Sequence, residues 1–209
     1  MELMNNPFLK LGSNGYVPFS AGEKFATIVY TLGRYLLLLL VPHPLTHDYY
    51  PRHIDIMHFG DAAVVLSLFT YIALLAVAVY GYKKDRVLSF GILYFLLTLS
   101  IVSNVVFPIG TNMSERFLFM PSLGFCLIIP YIIYKFSKKG QLAFYATTVL
   151  ALAFSIKTIT RNAVWVNDFT LFTTDVKTSA RSAKVLNAAG GALQTEAANE
   201  KDVNKKNQM

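Results

Sequence analysis

Charge is scarce in this chain. Asp, Glu, Lys and Arg make up 15% of its 209 residues, against about 25% in a typical soluble domain. Hydrophobic residues make up 54%, and mean hydropathy is positive. That balance argues against a soluble domain and for a membrane protein. Cysteine is nearly absent. Cys126 stands alone in an apolar run, forms no intrachain disulfide, and says little about redox compartment. Although the formal net charge is +7, no basic patch with interleaved aromatics occurs. Nucleic acid is therefore set aside, and the excess reads as asymmetry between membrane-flanking loops. The opening "MELMNNPFLK" has no basic stretch followed by an apolar core, so no signal peptide is expected.

What the chain has is apolar length. Four runs without charge lie at 62–82, 87–114 (helical from about Leu88 to Phe107), 117–134 and 140–156. A bilayer core needs about 20 apolar residues, with a range of about 17 to 25. Buried core helices of a large soluble protein are the alternative, set aside because such runs leave almost no polar face. A fifth segment, 25–42, is interrupted by Arg34. An arginine at mid-bilayer costs about 2.5–3.5 kcal/mol. This segment either spans with Arg34 facing protein, or lies in the interface or re-enters.

Lysine and arginine in short loops set the expected orientation. Lys83, Lys84 and Arg86 follow the first run, and Lys135, Lys138 and Lys139 follow the third. Those loops are expected to be cytoplasmic. Residues 43–61, 108–116 and everything after about Thr158 are expected outside. The predicted fold class is all-α: a polytopic membrane helical bundle with an external helical tail. Three regions follow: 1–61, an external loop region with a membrane-associated helix at 25–42; 62–158, a four-helix membrane portion; and 159–209, the tail. In the tail two helices are predicted, roughly 163–177 and 182–198. "TSARS" separates them, with Ser182 as N-cap.

All four histidines, His43, His47, His53 and His58, share one loop with Asp48, Asp55 and Asp61. Such residues can ligate a divalent metal, but their spacing matches no recognised ligand pattern. A loop folded on the membrane surface is the favoured reading; no metal or cofactor is assigned, with a divalent ion left open. Glu115 and Arg116 stand at the mouth of the third run, in "GTNMSERFLFMPSLGF". A guanidinium pairs in bidentate fashion with phosphate or carboxylate. Equally, Arg116 can be an interfacial anchor that snorkels to headgroups. Lys24 and Arg34 raise the same question more weakly. In "KVLNAAGGAL", residues Leu186, Ala189, Gly190 and Leu193 fit the first helix of a tetratricopeptide repeat.

Taken together, "PIGT", "SERFLFMPSLGFCLII", "NNPF", "RYLLLLLVPHPLTHDYYP", "RNAVWVNDFTLF" and "SAKVLNAAGGAL" resemble the TMTC family. These are transmembrane and tetratricopeptide-repeat proteins whose membrane part has the GT-C glycosyltransferase fold. The resemblance covers nearly all of the chain and places it at the C-terminal part of the membrane domain plus the start of the first repeat. It implies transfer of a sugar, typically mannose, from a polyprenyl-phosphate donor to Ser or Thr of an acceptor polypeptide. The resemblance implies a catalytic base in a first external loop that is expected to lie outside the matched segments, so no catalytic residue is assigned here. The expectation is a fragment or one piece of a split gene, inactive alone, and, from its few glycosylation sequons and lack of added loops, in a bacterial inner membrane. Under the resemblance Arg116, Glu115 and Arg34 are candidates for the donor phosphate. His47, Asp48, Tyr49 and Tyr50 belong to the loop that closes over donor or acceptor. A non-catalytic membrane scaffold whose tail binds a partner protein is the competing reading. A transporter or channel is disfavoured, because 62–82 and 87–107 carry no charge to line a path.

Overall fold

The computed structural model describes residues 6–50, 53–137 and 139–199. The chain opens with a small antiparallel hairpin of β1 (Leu9–Gly12) and β2 (Gly15–Pro18), paired in the register Leu9↔Pro18 to Gly12↔Gly15. The two-residue turn leaves Gly15 at φ 123°, a conformation that favours glycine. Sequence reading did not anticipate this hairpin, whose second strand is exposed throughout and shows no alternating pattern.

Helix α1 (Ala21–Leu40) begins at Ser20. The Ser20 side chain accepts from the Glu23 backbone, and Glu23 reaches back to the Ser20 N–H, a capping box that satisfies two otherwise orphan donors. Lys10 of β1 bonds both Glu23 oxygens at 2.6 and 2.8 Å, which ties the hairpin to the helix.

Helices α2 (Ala62–Lys84), α3 (Arg86–Ile101), α4 (Phe119–Ser137) and α5 (Gly140–Asn162) pack as sequence neighbours. Asp85 alone separates α2 from α3, and a two-residue link separates α4 from α5, so each pair turns back on itself. The starts of α2 and α4 and the ends of α3 and α5 thus share one end of the bundle. Lys135 pairs with Asp85 at the other. Gly91 of α3 and Gly124 of α4 let those two backbones meet: a Cβ on Gly124 would lie 2.5 Å from the Gly91 carbonyl oxygen. Large apolar side chains such as Phe69, Phe119, Phe136 and Phe144 point outward, as a lipid-facing surface requires. Among the described residues, three segments are long and apolar enough to cross a membrane: Ala62–Lys84, Glu115–Ser137 and Gly140–Val166.

The predicted helix from Leu88 to Phe107 stops at Ile101. Its 16 residues rise about 24 Å, short of a hydrocarbon core of about 30 Å. Asn104 is the cause. Its φ of 61° is left-handed, its amide donates to the Thr111 carbonyl at 2.8 Å, and its Oδ1 accepts from the Ile109 N–H at 2.9 Å. Those bonds fold 104–111 into a turn that competes with helix, and Pro108 supplies no N–H to continue one.

Helix α1 runs across the end of the bundle. Near its start Thr27 Oγ1 accepts from the Met57 N–H; midway, the Tyr35 hydroxyl accepts from the Ser114 N–H; just past its end His43 meets Lys157. All three partners belong to that one end. The core collects beneath it, from Tyr35, Leu38, Tyr49, Phe95, Leu99, Met113 and Leu118.

After a short 3-10 turn (Ala163–Val166) come α6 (Asp168–Thr178) and α7 (Ala183–Asn199). Asn167 caps α6 through the Thr170 N–H at 2.8 Å, so the first tail helix starts five residues later than expected, behind the 3-10 turn. Ser182 caps α7 as expected, accepting from the Val185 N–H at 3.3 Å.

Candidate functional site: a loop clamped between two carboxylates

The segment 43–50 is held from both sides. On the bundle side Glu115 Oε1 accepts from the Thr46 N–H at 2.6 Å and from the Tyr49 hydroxyl at 2.8 Å. On the tail side Asp175 Oδ2 accepts from the His47 N–H at 2.7 Å and lies 3.0 Å from His47 Nδ1. Arg161, at the end of α5, grips the same carboxylate in a fork, with Nη1 at 2.6 Å and Nη2 at 2.8 Å. Ser179 donates to Thr46 Oγ1 at 3.0 Å, and Ser182 donates to the Tyr50 carbonyl at 2.6 Å. Asp48 Oδ1 accepts from the Tyr50 N–H at 2.6 Å, a local turn that sets the loop's bend.

The electrostatics follow from burial and partners. Asp175 is fully buried. Burial raises a carboxyl pKa, but the hydrogen bonds from His47 and Arg161 outweigh it and hold Asp175 down to about 2. Its charge is retained because the fork and two further donors replace water. Burial, then the adjacent Glu115 charge, pushes the Tyr49 phenol far above its ordinary value, so it stays a donor.

Beside the clamp lies a polar pocket of about 130 Å³, lined by Arg34, Tyr49, His53, Asp55 and Met113. The Nδ1 of His53 is buried and has no hydrogen-bond partner among the described residues. Burial, with the nearby charges of Arg181 and Arg34, pushes the His53 imidazole below its ordinary pKa. The loop's carboxylates go to separate partners: Asp55 to Arg181 at 2.6 Å, Asp61 to the His58 N–H at 2.7 Å. Among the described residues no group of three or more His, Cys, Asp or Glu is close enough to hold a metal.

No family model and no solved structure matches the chain. Curated relatives do. Protein O-mannosyl-transferase Tmtc3 of Drosophila melanogaster is 31% identical over 185 residues, covering 83% of this chain and 20% of its own length. Protein O-mannosyl-transferase TMTC3 of Homo sapiens is 31% identical over 135 residues, 62% of this chain and 15% of its own length. Protein O-mannosyl-transferase TMTC1 of Mus musculus is 31% identical over 176 residues, 78% of this chain and 18% of its own length. This chain belongs to the TMTC family. It spans about a fifth of the length of the curated relatives it matches. With its apolar helices, the family places it among multi-pass membrane proteins.

The structure distributes the sequence-derived site residues of this TMTC chain over three places. Glu115, His47, Tyr49 and the backbone of Tyr50 form the clamp, with Asp48 shaping it. Arg34 lines the small pocket, which shares Tyr49 with the clamp. Arg116 stands apart: it is exposed, with its guanidinium 5.6 Å from the Phe117 ring centroid. Glu115 bonds the loop and not its neighbour Arg116, because the 3-10 turn Glu115–Leu118 sends successive side chains in different directions. Sequence reasoning missed Arg161, Asp175 and Ser179. The available signal was that Asp175 follows Leu171 by one helical turn, which puts a carboxylate on the buried face of α6.

Proposed function

We propose that this TMTC chain forms the donor-side portion of a protein O-mannosyltransferase that uses a polyprenyl-phosphate sugar and a polypeptide acceptor, and that it does not catalyse by itself. One observation carries the reading. A half-buried arginine, Arg34, lines a polar pocket with a His53 nitrogen that has no partner among the described residues, directly beside a loop fixed by Glu115. A guanidinium at such a place suits a phosphate oxygen. Arg116, exposed at the same end, adds positive charge where a lipid-borne phosphate would approach. Glu115 acts as a positioning residue: it holds Tyr49 at the wall of that pocket, while Tyr50, buried with its hydroxyl 3.3 Å from the Asn6 carbonyl, anchors the segment. The start of α7 is the first helix of a tetratricopeptide repeat. The lysine-rich loops face the cytoplasm, and the clamp and tail face outward, supported by the lysine and arginine asymmetry. The few sequons support a bacterial inner membrane.

Titration of a polyprenyl-phosphate mannose against the full chain in detergent tests this. Arg34→Ala is expected to weaken binding about tenfold to a hundredfold, the range for a charged hydrogen bond, and Arg116→Ala less. Unchanged binding in both variants would remove the donor role. Failure of the unaltered chain to bind would favour the scaffold reading, in which α6 and α7 dock a partner protein.

A further inference from the structure

A groove opens between α1, α4 and α5 at the end of the bundle that α1 crosses. Leu38 and Pro42 close its top, Phe125 and Pro130 form one wall, and Leu150 and Phe154 form the other, around about 590 Å³. A hollow of about 300 Å³ continues from it past Pro42 and Phe154 to His43 and Lys157. Among the described residues no acidic side chain lines either part. Lys157 Nζ lies 3.3 Å from His43 Nδ1. Among the described residues no carboxylate forms an ion pair with Lys157, whereas Arg161, one turn further along α5, is matched by Asp175. An apolar slot thus ends at a cation with no counter-charge among the described residues.

The depth of the slot identifies its occupant. Along α5 it runs from Thr147 to Thr158, about 16 Å at the helical rise. One leaflet of a bilayer has a hydrocarbon depth of about 15 Å. An acyl chain matches that depth, and a polyprenyl chain is several times longer. We propose that this groove holds one acyl chain of a bilayer phospholipid whose anionic headgroup rests on Lys157 and His43. The groove shares no lining residue with the Arg34 pocket, and the proposal stands independently of the transfer reaction.

The single tryptophan, Trp165, makes a fluorescence test direct. Trp165→Phe with Phe154→Trp puts one fluorophore on the groove wall of the full chain. The protein is reconstituted in phosphatidylcholine vesicles containing rising fractions of phosphatidylglycerol brominated on its acyl chain. Parallel vesicles contain brominated phosphatidylcholine. Half-maximal quenching is expected at about a fivefold lower mole fraction for phosphatidylglycerol, the preference one lysine confers near a headgroup layer. Lys157→Gln should bring the two curves together. Coincident curves before that change, or a preference that survives it, would overturn the proposal. So would relief of quenching by an equal mole fraction of unlabelled polyprenyl phosphate, which would give the groove to that lipid. If Phe154→Trp does not fold, native mass spectrometry of the unaltered chain from mixed vesicles decides. One retained phosphatidylglycerol per chain supports the assignment, and none overturns it.

Discussion

Removing the charge of Asp175 should release the tail from the membrane bundle. Asp175→Asn keeps the size of the side chain, but it loses the negative charge and sets an amide NH2 against one arm of the Arg161 fork, donor against donor. Breaking a buried ion pair costs about 3–5 kcal/mol, because the surviving charge is left unmatched. The low end applies, since the Arg161 side chain keeps 14% exposure and can turn to water. A cost of about 3 kcal/mol corresponds to local opening about a hundredfold more frequent. Amide hydrogen exchange in α6 and α7 reads this directly, at Leu171 and Val185 in particular, which are buried. The pair between Arg181 and Asp55 is the control. Both side chains are more than half exposed, at 57% and 70%, so Asp55→Asn should change exchange less than about threefold. The same clamp predicts a pH dependence. Asp175 titrates at about 2 in the folded chain against an ordinary 3.8. Its depressed value stabilises the fold fully above pH 3.8, and this is lost as pH falls toward 2, amounting to about 2 kcal/mol. Protection of α6 and α7 that is unchanged in Asp175→Asn at neutral pH would refute the clamp as the element that fixes the tail.

Two further substitutions probe the bundle. Gly124→Ala places a methyl 2.5 Å from the Gly91 carbonyl oxygen and 3.0 Å from Phe95 Cβ. Backbone cannot step aside there, so a loss of about 1–3 kcal/mol is expected on unfolding in detergent; wild-type stability would show that α3 and α4 are not so closely apposed. Asn104→Ala removes two hydrogen bonds and puts a residue that disfavours positive φ into the left-handed region. It should cost about 2–3 kcal/mol, and Asn104→Gly should recover part of that, because glycine accepts the conformation without supplying the bonds. Equal effects of the two substitutions would mean that the backbone angle is not a source of the loss.

Much of this protein was legible in its residues. Uninterrupted apolar runs at 62–82, 117–134 and 140–156 fix membrane helices because lipid demands that every backbone polar group be satisfied within the segment. Scarce charge, the family resemblance of "SERFLFMPSLGF" and the Ser182 cap are likewise local or compositional signals. The early end of α3 was not legible. Apolar content extends to Phe107, and only the bonds from Asn104 to residues five and seven positions away stop the helix. The site depended still more on the fold. Glu115 and Arg116 are adjacent in the chain, yet Glu115 is matched with Thr46 and Tyr49, which lie 69 and 66 positions away. His47 meets Asp175 across 128 positions. Neither partner carries a spacing that announces the other, because a buried carboxylate needs whichever donors the packing brings to it. Composition therefore determined that the chain is a membrane bundle with a helical tail. Tertiary packing alone decided which end of that bundle is locked, by which carboxylates, and where a polar pocket and a lipid-sized groove were left between the helices.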